Sequence, residues 1–213
     1  MPGFIYFSSC APSLFVKPLG KGEKAINTSL GGPLIKFAGK AIPLPFATVT
    51  AGYGLTKSLT VFGNIQPTSL IFGVFQTELG GVKNIYYNPA MNLGFSISPA
   101  INLAIDKWEY NFKLWPRLDF SAYWDFNKHK NNFYLGASNW FELSKTKGYG
   151  EQQVKHWLFN PQVGYSIVRR RWNFNIEAKA LAPGITRYPK VIDYVSIGNM
   201  GALGVYAGFT RRF

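Results

Sequence analysis

The amino-acid sequence predicts an all-β fold: a transmembrane antiparallel up-and-down β-barrel of about ten strands, with eight as the alternative count. Three observations predict it. From about residue 44 onward apolar and polar residues alternate with period two, punctuated by Gly, Pro, Asn and Ser, and no long stretch keeps a helical period. Charged residues make up only 15% of the chain while aromatics reach 17%, whereas a soluble protein carries about 25% charged residues. No apolar run approaches the roughly 20 residues a membrane helix needs, so a membrane must be crossed by strands.

The elements follow in chain order. Residues 1–9 read as a signal segment. Residues 10–32 read as a flexible tether rich in Lys, Gly, Pro and Ser, with Lys17, Lys21 and Lys24 making it too polar to pack. The barrel then occupies 33–213, with strands expected near 33–42, 45–55, 58–66, 70–80, 91–105, 115–126, 132–143, 156–168, 172–182 and 201–213. The clearest runs from Met91 to Ile105, where Met91, Leu93, Phe95, Ile97, Pro99, Ile101, Leu103 and Ile105 share one face. Opposite them stand Asn92, Gly94, Ser96, Ser98, Ala100, Asn102 and Ala104. That run is more than twice the usual strand of about 5–6 residues in a soluble sheet.

Downstream strands repeat the pattern. Leu118, Phe120, Ala122, Trp124 and Phe126 oppose Arg117, Asp119, Ser121, Tyr123 and Asp125. Phe133, Leu135, Ala137, Phe141 and Leu143 oppose Asn132, Tyr134, Gly136, Ser138 and Glu142, with Asn139 a polar exception on the apolar side. Trp157, Phe159, Val163, Tyr165 and Ile167 oppose Asn160, Gln162, Gly164 and Ser166, and Trp172, Phe174, Ile176, Ala178 and Ala180 oppose Asn173, Asn175, Glu177 and Lys179.

Alternation alone does not say which face is inside. Trp124, Trp157, Tyr165 and Trp172 lie near strand ends on the apolar side, as interfacial aromatic girdles do, and this favours lipid outside. With the C-terminus in the periplasm, connections 127–131 and 169–171 are tight on the periplasmic side, while 106–114, 144–155 and 183–200 are longer on the outer side. Connections 67–69 and 81–90 break that rule.

The last strand carries a resemblance. Leu203, Val205, Ala207, Phe209, Arg211 and Phe213 lie on one face, opposite Ala202, Gly204, Tyr206, Gly208, Thr210 and Arg212. This resembles the C-terminal signal of bacterial outer-membrane β-barrels, in which alternating hydrophobic residues lead to a terminal Phe read by the barrel-assembly machinery. Phe213, Phe209, Ala207, Val205 and Leu203 match it, and Arg211 departs from it. At the rim such a charge costs only about 0–1 kcal/mol. The resemblance implies an outer-membrane location with the assembly machinery as a transient partner.

At the other end, Phe7-Ser8-Ser9-Cys10-Ala11 resembles a bacterial lipoprotein signal in which Cys10 is acylated, although no Lys or Arg precedes the cysteine. As the sole cysteine, Cys10 excludes an intramolecular disulfide and a cysteine metal cluster.

The net charge of +13 raises nucleic acid as a partner. The cations instead divide between the two ends of the barrel, so no nucleic acid is expected. Lys57, Lys83, Lys128, Lys130, Arg169, Arg170, Arg171, Arg211 and Arg212 gather at the C-terminal rim, suited to anionic lipid headgroups or an envelope protein partner. Lys107, Lys113, Lys145, Lys147, Lys155, Arg187 and Lys190 at the opposite end suit the phosphates of lipopolysaccharide.

The lumen row holds Arg117, Asp119, Asp125, Glu142, Glu177 and Lys179, and mixed signs in so narrow a space are expected to pair into a plug. Only His129 and His156 are available as bases, with Ser144 nearby in sequence, and no phosphate loop or metal spacing appears. No cofactor is implied. The expected function is a non-enzymatic structural or interaction component of the cell envelope. The alternatives are a narrow channel for small anionic solutes and a lipid-modifying enzyme.

Overall fold

The computed structural model describes residues 15–213 apart from 109, 128–129, 146–151, 187–192 and 199. The strands are β1 (Lys24–Phe37), β2 (Lys40–Pro43), β3 (Phe46–Gly54), β4 (Leu59–Ile65), β5 (Val74–Asn88), β6 (Leu93–Asp106), β7 (Phe112–Phe126), β8 (Asn131–Phe141), β9 (Trp157–Val168), β10 (Trp172–Thr186) and β11 (Met200–Arg212). From β3 to β11 consecutive strands pair antiparallel, β1 pairs with β3 and with β2, and β11 closes on β1 from Ala25↔Arg212 to Pro33↔Gly204. Pairing of β1 with β3 ends at Gly31↔Phe46. Beyond it, Leu34–Phe37 continues as an arm that pairs with β2 and bridges Tyr194 through Ile35. Ten strands therefore form the closed wall, as the sequence predicts, and β2 is an appendage of β1.

Closure of β11 on β1 leaves the ten-strand wall without an open edge between its first and last strands, which is what a β-structure needs in hydrocarbon. The alternation of faces also resolves: along β6 the row Gly94 to Asp106 is buried, while Phe95, Pro99, Ile101 and Ile105 are exposed. The apolar row thus faces outward and the polar row fills the lumen. Outside, Trp172 stacks on Phe209 at 6.3 Å, Phe126 on Tyr165 at 5.7 Å, and Trp124 lies 6.4 Å from Phe133. These rings sit near the end of the wall where both β1 begins and β11 finishes, here called the terminus end.

The N-terminal half departs from the expected boundaries. The helical turn α1 (Pro67–Ile71) occupies much of the connection from β4 to β5, and β5 runs through Gly80-Gly81 to Asn88. The glycine pair is not a turn. Gly80 faces inward where the wall is closest: a Cβ there would stand 2.6 Å from the Ala100 Cβ and 2.7 Å from the Pro99 carbonyl oxygen. With these boundaries the exceptions at 67–69 and 81–90 disappear. Terminus-end connections are 55–58, 89–92, 127–130 and 169–171, and far-end connections are 66–73, 107–111, 142–156 and 187–199. Asn92 and Asn127 supply the positive φ of 50° and 60° in two of the tight turns.

The expected tether over 10–32 also requires correction. β1 begins at Lys24 and supplies closing pairs from Ala25 onward. Before it, Phe15 and Leu19 are buried in a cluster with Ala25, Phe62, Val82 and Ala100. Residues 15–20 lie inside the lumen, where Lys17 finds a partner in Asp125 and the Leu19 N–H one in Thr60. Cys10, Lys128, His129, Lys147, Arg187 and Lys190 fall outside the described residues.

Candidate functional site in the lumen

Three layers of side chains fill the barrel from the terminus end to the far end. The first is the inserted segment 15–20. Lys17 Nζ donates to both carboxylate oxygens of Asp125 at 2.6 Å and lies 5.0 Å from the centre of the Tyr123 ring. The Leu19 N–H donates to Thr60 Oγ1 at 2.7 Å, and Ser96 Oγ donates to the Val16 carbonyl at 2.6 Å. Burial pulls the Lys17 ammonium below its ordinary pKa, and Asp125 opposes that pull. The wall is cut back to receive the segment: a Cβ at Gly52 would stand 2.8 Å from the Phe15 ring, and one at Gly54 would meet the Gly20 carbonyl oxygen.

The middle layer is an ionic network. Arg117 Nη2 donates to Glu78 Oε1 at 2.8 Å, and Nη1 lies 2.9 Å from Asp119 Oδ2. Glu78 also accepts from Asn64 at 3.3 Å and Asn102 at 2.5 Å, while Asp119 accepts from Ser138 Oγ at 2.6 Å. Lys179 Nζ is 3.3 Å from Glu177 Oε1, and Tyr134 donates to Glu177 Oε2 at 2.9 Å. Side-chain exposure of 2% or less at Arg117, Glu78, Lys179 and Glu177 means these pairs are desolvated. Desolvated charges persist only when paired, and each of these is, while Arg117 Nε stays without an acceptor.

Two tyrosines of the lumen are seated on glycines of the neighbouring strand. Tyr123 lies over Gly94 and Tyr134 over Gly164; a Cβ on either glycine would stand 2.2 Å from ring atoms. The third layer, toward the far end, packs Ala104, Trp115 and Trp140 with Val74 and Leu158. There the Trp115 indole donates to Glu142 Oε2 at 2.7 Å, and the Trp140 indole to Ser138 Oγ at 3.1 Å.

The six charged residues predicted for the lumen are therefore all buried within it, but they do not form one cluster. Arg117, Asp119, Glu177 and Lys179 share the middle layer, Asp125 holds the inserted segment, and Glu142 belongs to the far-end layer. Sequence reasoning missed Glu78, the carboxylate that Arg117 grips, although Gln76 and Glu78 alternate with Phe75, Thr77 and Leu79 as a lumen row should. It also missed Lys17 as an internal residue.

Outside, Leu203, Val205, Ala207, Phe209 and Phe213 form the outward row of β11, and the Phe213 N–H donates to the Lys24 carbonyl at 2.8 Å. Arg211 is exposed on this row and Arg212 turns inward toward Glu23, 3.9 Å away. Asn139, the polar exception on β8, is satisfied at the wall: it donates to the Leu118 carbonyl at 3.0 Å and accepts from the Trp157 indole at 3.0 Å. A closed wall with an apolar exterior, aromatic pairs near its rim and an ionic interior inverts the plan of a soluble barrel. The chain has the architecture of a membrane-spanning β-barrel.

No family model matches the sequence, and no curated protein matches it. Among solved structures this barrel resembles the translocator domain of the autotransporter NalP from Neisseria meningitidis, at 9% identity over 93% of this chain and 91% of that chain, with a TM-score of 0.47. It also resembles the NanC porin, at 9% identity over 88% and 98%, with a TM-score of 0.45. A third likeness is to the outer membrane protein OprG from Pseudomonas aeruginosa, at 11% identity over 93% and 99%, with a TM-score of 0.33. At such identities the likeness concerns architecture only.

Of the residues weighed for chemistry, His156 points Nδ1 at the Glu142 carbonyl oxygen, 2.7 Å away, and the Ser144 N–H donates to Glu142 Oε1 at 2.9 Å. Both contacts brace the start of the β8–β9 connection. Among the described residues no three His, Cys, Asp or Glu side chains gather as metal ligands.

Proposed function

We propose that this barrel is a non-enzymatic, non-conducting component of the bacterial cell envelope that acts by contact at its terminus-end rim. The observation that carries the reading is the lumen filled at three successive heights, by the 15–20 segment, the Arg117–Glu78–Asp119 network and the Trp115–Trp140 layer. The rim itself displays Lys130, Arg169, Arg170, Arg171, Arg211 and Arg212. In this reading the termini are periplasmic, because tight turns lie at the terminus end and long connections at the other, the asymmetry of bacterial barrels. An acyl chain on Cys10 would anchor the same end, and the cations of the far end would meet lipopolysaccharide phosphates.

The alternative of a channel for anionic solutes drew on Arg117 and Lys179. Both are paired to carboxylates, and the middle layer holds three carboxylates against these two cations, so an anion passing through meets no net attraction there. Affinity capture from envelopes tests the contact reading. With Arg169, Arg170 and Arg171 replaced by Gln, co-purifying envelope proteins should be lost while the barrel still inserts. An unchanged set of partners would remove the rim from the proposal.

A further inference from the structure

Between the inserted segment and the β8–β11 side of the wall lies a cavity of about 510 Å³ that opens at the terminus end. Its size falls within the roughly 300–1,000 Å³ of small-molecule sites. Among the described residues its lining carries five cations, Lys17, Lys130, Arg169, Arg170 and Arg212, and one carboxylate, Glu23. Lys17 is held by Asp125, and Arg212 lies beside Glu23. None of Lys130, Arg169 and Arg170 pairs with a carboxylate among the described residues. Arg169 leans on neutral acceptors, the Asn131 amide at 3.4 Å and the Val168 carbonyl at 2.9 Å.

The cavity wall behind these cations is uncharged and hydrogen-bonding, with Asn132, Asn173, Asn175, Ser166 and Thr210. Deeper in the lumen, carboxylates outnumber cations, so the cavity attracts an anion and the middle layer stops it. Arg211 points outward on β11 and is not part of this lining, whereas these five cations line the cavity, with Arg169 also lying 5.9 Å from the Trp172 ring.

We propose that this vestibule is a blind binding site for a small polyanion, a molecule carrying at least two phosphate, sulfate or carboxylate groups, gripped by Lys130, Arg169 and Arg170 against the amide-lined wall. The site is a property of the isolated barrel and does not rest on the rim contacting a protein. Arginine suits it because its fork donates two parallel hydrogen bonds to such groups.

Calorimetric titration of the purified full chain with inorganic pyrophosphate, in zwitterionic detergent at about 0.15 M salt, tests the site. Saturable binding is expected. Arg169→Gln with Arg170→Gln should weaken it by about tenfold or more, the scale of losing two charge-assisted hydrogen bonds, whereas Lys24→Gln with Lys57→Gln, on the rim but outside the cavity, should change it less than about twofold. Arg170→Gln alone, at an exposed turn position, should show part of the loss if the double variant fails to fold. In phosphatidylcholine discs, binding that persists when phosphatidylglycerol is added assigns the vestibule to a soluble ligand. Binding competed away by that lipid assigns it to a lipid phosphate. No saturable binding, or equal weakening by both double variants, would overturn the site.

Discussion

Lys17 and Asp125 lie 108 positions apart in sequence and form the 2.6 Å ion pair that fixes the inserted segment in the mouth of the barrel. The Lys17 side chain is 28% exposed and that of Asp125 is 5%, so the contact is partly shielded from water. Asp125→Asn should loosen the segment without opening the wall. Amide exchange at Leu19, whose N–H is bonded to Thr60 Oγ1, is expected to accelerate, while exchange in the central residues of β7 stays slow. Unchanged exchange at Leu19 would show that Phe15 and Leu19 hold the segment without the ion pair.

The Arg117 network makes a larger prediction. Arg117→Met leaves Glu78 and Asp119 buried beside each other without their shared cation, a loss of about 3–5 kcal/mol when a buried pair is broken. Urea unfolding in lipid vesicles should report it. Replacing the carboxylates as well, with Glu78→Gln and Asp119→Asn, should recover much of the loss, since no uncompensated charge then remains.

Gly164 and Tyr134 form a knob and its seat. Gly164→Ala places a methyl group 2.2 Å from the ring, and overpacking of this kind costs about 1–3 kcal/mol. The same substitution in a Tyr134→Ala background should cost far less. Equal costs in the two backgrounds would mean that the ring does not depend on the glycine.

The faces of the strands from Met91 to Phe213 were legible in the sequence because a period-two row is imposed by the lipid on one side and by neighbours in the lumen on the other. Asn139 interrupts its row, and even so its partner, Trp157, lies on the adjacent strand. Two things were not legible. Gly80-Gly81 looks like punctuation, whereas it marks a close approach to Ala100, which only the three-dimensional wall reveals. Segment 15–20 carries no period, and its partners Thr60, Ser96 and Asp125 are brought to it by closure alone. For the same reason, the vestibule could be read only as a set of rim cations.

Trp157 protects Asn139 on the lipid side. Trp157→Phe keeps the apolar contact but leaves Asn139 Oδ1 without its donor, at a cost of about 1–3 kcal/mol for an unsatisfied buried group. Asn139→Leu removes the need for the bond and should be nearly neutral. Paired unfolding measurements decide between this ordering and its reverse.

The central claim is that the lumen is closed at three heights, and current across a planar lipid bilayer tests it most directly. Purified barrel reconstituted in 1 M salt, where the Debye length is only about 3 Å and fixed charges are strongly screened, should insert without stepwise conductance. Regular, long-lived conductance steps from the wild-type chain would contradict it.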